Sequence, residues 1–124
     1  MKYLCLAYGA ESDWHALSKD QQDQLLSQDE EIRRGGALMA AVEATVTTVR
    51  AWDGRPIVTH ESVAGLPAPL AGFSVIEASS IAEVIALVCN TPCARAKGAI
   101  EIRPIMFIND EAWRTDRSPG AEKP

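Results

Sequence analysis

Two tetrapeptides of the form Ser-x-x-Gln/Glu decide most of what this chain can become. Ser18-Lys19-Asp20-Gln21 and Ser80-Ile81-Ala82-Glu83 both match the capping box, in which the serine accepts from the third backbone N–H and the longer side chain reaches back. Each marks the start of a helix. After the first, Leu25, Leu26 and Ile32 form a thin apolar stripe among many Asp, Glu and Gln residues, and Gly35-Gly36 supplies a stop. After the second, Ile81, Val84, Ile85 and Val88 recur at the spacing of an amphipathic helix, with Asn90 and Pro92 expected to end it.

Strand signals surround these helices. Residues 2–8 read as a buried strand closed by Gly9, and Ala37 to Trp52 is β-rich around Thr45–Val49. Asp53-Gly54 is a hairpin signal, with Pro56-Ile57-Val58-Thr59 as the return strand. Gly65 to Pro69 has loop composition, Ala71 to Glu77 is another strand, and Ala99 to Arg103 alternates until Pro104 interrupts. The order predicts an α+β ferredoxin-like sandwich, an antiparallel sheet with two helices on one face. On the other face, Val46, Thr48, Arg50 and Trp52 are too apolar for bare solvent and too polar for a dry core. A second copy is expected to cover them, making a homodimer.

A length of 124 residues holds one domain, here taken as residues 1–108, with 109–124 as a loose polar tail. The net charge of −5, with 12 scattered basic residues, argues against a nucleic-acid partner. Cys5, Cys89 and Cys93 are an odd set that suits reduced thiols in a cytoplasmic protein, and Cys89 is expected to pack against the sheet. The short opening run with two tyrosines reads as a strand, not a leader. No stretch approaches the roughly 20 apolar residues of a membrane span.

The stretch Thr48-Val49-Arg50 … Asp53-Gly54-Arg55-Pro56-Ile57-Val58-Thr59 resembles the YCII-related family, in particular its DGPF subgroup. Leu70-Ala71-Gly72-Phe73, Ile76-Glu77-Ala78 and Gly98-Ala99-Ile100-Glu101-Ile102-Arg103-Pro104-Ile105 continue the match in order, as do Met1-Lys2-Tyr3-Leu4 and Tyr8-Gly9. The resemblance covers about residues 1–106 and implies a dimeric α/β barrel with a cleft between packed sheets. The sequence departs from the family pattern at two places. His60-Glu61-Ser62-Val63 stands where the Asp-Gly-Pro-Phe tetrad is expected, and Lys97 stands where a histidine commonly precedes the glycine of the last strand.

These departures select the candidate residues. His60, at a strand end, is suited to acid/base work at neutral pH, with Lys97 as an electrostatic helper. Arg50 and Arg103 could clamp a carboxylate bidentately. For Arg103 an ion pair with Glu101 or Glu77 is the competing role. His15 reads as a surface turn residue. The two histidines lack partners at ligand spacing, and Cys89-x3-Cys93 does not match a zinc pattern, so no metal is expected. No phosphate loop, Ser-His-Asp order or nucleophile elbow is present, and no cofactor is expected. Two functions follow. One is a cofactor-free acid/base enzyme, of isomerase or lyase type, acting on a small organic acid in a dimer cleft. The other is a non-catalytic small-molecule-binding or regulatory dimer that has lost the family's polar pair.

Overall fold

The order of elements in the computed structural model, which describes residues 1–63, 65 and 68–109, follows the ferredoxin-like plan with one excursion. Strand β1 (Lys2–Tyr8) leads through a single helical turn, α1 (Glu11–His15), into the long helix α2 (Lys19–Arg34). Then come β2 (Leu38–Ala41), a hairpin of β3 (Thr48–Arg50) and β4 (Ile57–Thr59), and β5 (Leu70–Glu77). Helix α3 (Ile81–Val88), a short α4 (Pro92–Arg95) and β6 (Ala99–Pro104) complete it. The main sheet is antiparallel in the order β2-β5-β1-β6. The tail beyond residue 109 and part of the Gly65–Pro69 loop lie outside the described residues.

Both long helices start where the serines predict. Ser18 Oγ accepts from Gln21 N at 3.1 Å, and Gln21 Oε1 accepts from Ser18 N at 2.9 Å, closing the full box. Such a cap is worth about 1 kcal/mol. The second box is half closed. Ser80 Oγ accepts from Glu83 N, but Glu83 Oε1 accepts from Ser79 N at 2.8 Å instead of returning to Ser80. Helix α2 ends at Gly35, and Gly36 takes φ +101°, open to glycine at no steric cost.

Alternation along β1 divides the sheet into two faces. Tyr3 and Cys5 turn toward the helices and pack with Ile76, Ile32, Val84 and Val88. Val84 is fully buried, and each such side chain contributes roughly 1.5–3 kcal/mol. Leu4 and Leu6 point the other way, registered against Val75 and Phe73 of β5, and Arg103 and Glu101 of β6. Leu38 and Ala40 of β2 extend this second face. It is apolar at its centre and charged at the β6 edge.

Two expectations are corrected and one, at Pro92, is extended. Arg50 and Thr48 do not lie on the main sheet. The β2 ladder reaches Ala41↔Gly72, and Val42 N then donates to Ala71 O, next to the first residue of β5. With no strand left to pair with, the β-branched run folds back on Ile57–Thr59 across a short turn, where loop closure is cheap. Trp52 sits in that turn, 91% exposed, and Gly54 takes φ +87°. Pro92 does more than follow a helix end. It opens α4 from the first position, where its missing N–H is harmless. Cys89 caps α3 on the exposed side and does not pack against the sheet. Among the described residues no helix is long and apolar enough to cross a membrane.

Candidate active site

Between α2, α4 and the helix-facing side of the sheet lies a cleft of about 520 Å³, within the range of small-molecule sites. Its floor is built from short residues at one end of the sheet: Ala7, Ala41, Ala71 and Gly72. Gly72 has no room for a side chain, because a Cβ there would run into the Ala40 carbonyl of β2. Leu26, Met39, Val88 and Ile100 make apolar walls. Gln28 Nε2 donates to Leu87 O at 2.7 Å and fixes α2 against α3. That contact sets the position of the next residue, Asp29.

Asp29 is the carboxyl group that burial changes. It follows Leu25 by four residues and precedes Ile32 by three, so it occupies a place on the apolar stripe of α2. Loss of solvent pushes its pKa up to about 6, because burial disfavours the charged form. Its neighbour Glu30 behaves oppositely. Hydrogen bonds from Arg33 hold Glu30 below the usual carboxylate range, and Arg34 adds to this at 3.3 Å. Two adjacent carboxylates thus differ in environment, as groups with divided acid/base duties do.

Two thiols share the cleft. Cys93 of α4 is pushed up by burial and further by the nearby Asp29 charge. Cys5 is pushed up by burial, with a Ser74 hydrogen bond pulling weakly the other way. Both are therefore neutral thiols at neutral pH and poor nucleophiles. Gly9 leaves the space beside Cys93 free, since a Cβ there would sit 3.0 Å from Sγ. Thr91 is buried, but its hydroxyl is spent on Val88 O at 2.6 Å. The group equipped to move a proton in this cleft is Asp29.

None of the four residues singled out by sequence lines the cleft. His60 follows β4 on the hairpin, with Nδ1 3.3 Å from Val46 O, and is exposed. Arg50 is on the same hairpin. Lys97 holds φ 62° in the turn between α4 and β6 and is exposed. Arg103 lies on the second face of the sheet with Nε 3.4 Å from Glu101 Oε1, the competing ion pair. Within one chain these residues form no shared constellation. His15 pairs with Glu11 at 3.4 Å on the surface. Among the described residues no group of three His, Cys, Asp or Glu side chains is placed to hold a metal.

The model of the YCII-related domain matches residues 1–109. The chain belongs to the YCII-related family. A search among curated proteins finds no match. Among solved structures, the chain is similar to 5-chloro-2-hydroxyhydroquinone dehydrochlorinase (TftG) from Burkholderia phenoliruptrix, solved in complex with 2,5-dihydroxybenzoquinone. The two share 16% identity with a TM-score of 0.44, over 85% of this chain and 93% of that one.

In this YCII-related domain the signal for Asp29 was present but faint. A carboxylate on an apolar stripe stands out only when the stripe is wide, and this one has few members. Thr91-Pro92 is equally the mark of a helix start, with Pro at its first turn. Read so, it places α4 and Cys93 opposite the end of α2.

Proposed function

We propose that this protein is a cofactor-free acid/base enzyme, of isomerase or lyase type, that works in the cleft between α2 and α4. The observation that carries the reading is Asp29, a carboxyl raised to about 6 on the wall of a cleft of about 520 Å³. A group with that pKa is half-ionised near pH 6 and largely ionised just above it, poised to take a proton and close enough to neutrality to return it. The apolar walls hold the body of a small substrate, and the neutral thiols leave the proton chemistry to the carboxyl.

The sequence-level alternative places catalysis at His60 with Lys97, and a carboxylate clamp at Arg50 or Arg103. Because these sit on the hairpin, a turn and the second face of the sheet, that centre needs a second copy of the chain to assemble. Incorporation of solvent deuterium into small carbonyl compounds, followed by NMR in D₂O, separates the two. Wild type is expected to exchange an acidic C–H faster as pH rises through 6, and Asp29→Asn is expected to lose this by at least 10²-fold. Exchange that survives in Asp29→Asn and disappears in His60→Ala moves the chemistry to the hairpin.

A further inference from the structure

The charge pattern around Asp29 bears on which molecules the cleft accepts, given the proposed proton-transfer role. From α2, Glu30 and Arg33 line the cleft beside Asp29, and Arg34, which does not line it, has Nε 3.3 Å from Glu30 Oε2. From β1 comes Cys5 and from α4 Cys93, both kept as neutral thiols by burial. The lining parts of β2, β5 and β6 bring no ionisable group. Arg33 is the sole cation among the described lining residues. It is already engaged, donating from Nε and Nη2 to Glu30.

A carboxylate entering this space gives up hydration and finds two carboxyl groups, while Arg33, the one cation among the described lining residues, is already paired with Glu30. An uncharged hydroxyl or amide loses far less on entry and can donate to the ionised Asp29, a charge-assisted bond about twice as strong as a neutral one. We propose that the cleft selects its ligands by charge, taking small uncharged molecules that present a hydrogen-bond donor to Asp29 and rejecting carboxylates, because Glu30 occupies Arg33. This departs from the small organic acid that arginines at positions 50 and 103 suggest.

Benzyl alcohol and benzoate make the test, since they share a ring and differ in charge. Their affinities are measured by ligand-detected NMR at pH 7.5, with wild type and Glu30→Gln, the latter freeing Arg33. Wild type is expected to bind benzyl alcohol at least tenfold more tightly than benzoate. In Glu30→Gln that preference is expected to shrink about tenfold, through gain of benzoate binding. Equal or tighter binding of benzoate by wild type overturns the selection. Failure of both probes to bind either protein overturns it too, because the cleft then takes no ligand of this kind. Selection by charge without Asp29-dependent exchange removes only the catalytic reading, and the reverse result removes only the selection.

Discussion

The body of the molecule and its β3–β4 hairpin use the same kinds of residue to opposite effect. In the body, Ile76 of β5 is 4% exposed and Val84 of α3 is fully buried, in one cluster with Ile32 of α2. On the hairpin, Ile57 is 62% exposed, Val49 59% and Val58 55%. Both regions are rich in β-branched side chains. Among the described residues only the first has a second layer to bury them. The difference teaches that β propensity chooses pleated conformation, while the packing partner chooses how much it is worth. An isolated two-stranded hairpin is marginal at best in water.

The largest test of this contrast is a matched pair of truncations. Ile76→Ala removes a buried side chain from the centre of the core and is expected to cost about 3 kcal/mol in chemical denaturation. Ile57→Ala on the hairpin is expected to stay within about 0.5 kcal/mol. A large loss from the hairpin variant would mean that something covers it in solution. The second, apolar face of the sheet and the hairpin are then best read together as surfaces for a second copy. Concentration-dependent stability in the Ile57→Ala series would sharpen that reading.

Asp29 gives the next effect, because it brings a charge into the covered region. Its folded pKa is raised above the ordinary carboxylate value, so protonation is favoured by folding. The associated stability is fully present below about pH 4 and is lost as pH rises through 6. Asp29→Asn is therefore expected to match wild type at pH 4 and exceed it at pH 7.5. Water still reaches the group, so the gain is discounted to on the order of 1–2 kcal/mol, a few degrees in Tm. Equal melting temperatures at both pH values would show that Asp29 is solvated.

The capping residues supply a smaller comparison within the body. Ser18→Ala breaks a box closed in both directions and is expected to cost about 1 kcal/mol. Ser80→Ala leaves the Glu83–Ser79 contacts in place and is expected to cost less, roughly half as much. Thermal denaturation of the two variants side by side checks the order.

What could be read in advance was local. The boxes at Ser18 and Ser80, the stop at Gly35-Gly36, the Asp53-Gly54 turn and the alternation of Ile100 and Ile102 all act over a few residues. They lead to the element order and hence to the ferredoxin-like sandwich. The placement of Arg50 failed because strand propensity in Thr45–Val49 says nothing about which sheet a strand joins. That was decided by where β5 begins. The carboxyl in the cleft was hidden for a related reason. Asp29 sits in a helix crowded with Asp, Glu and Gln, and the cleft around it is closed in part by Thr91, Pro92 and Cys93, more than sixty positions away. Burial of that kind is a property of the packed chain.

The most direct test of the account is an NMR titration of the Asp29 carboxyl carbon in the wild-type protein, assigned by comparison with Asp29→Asn. The expected midpoint is near 6, above the ordinary carboxylate range. A midpoint near 4 would contradict it, leaving the cleft without a group poised to transfer protons at neutral pH.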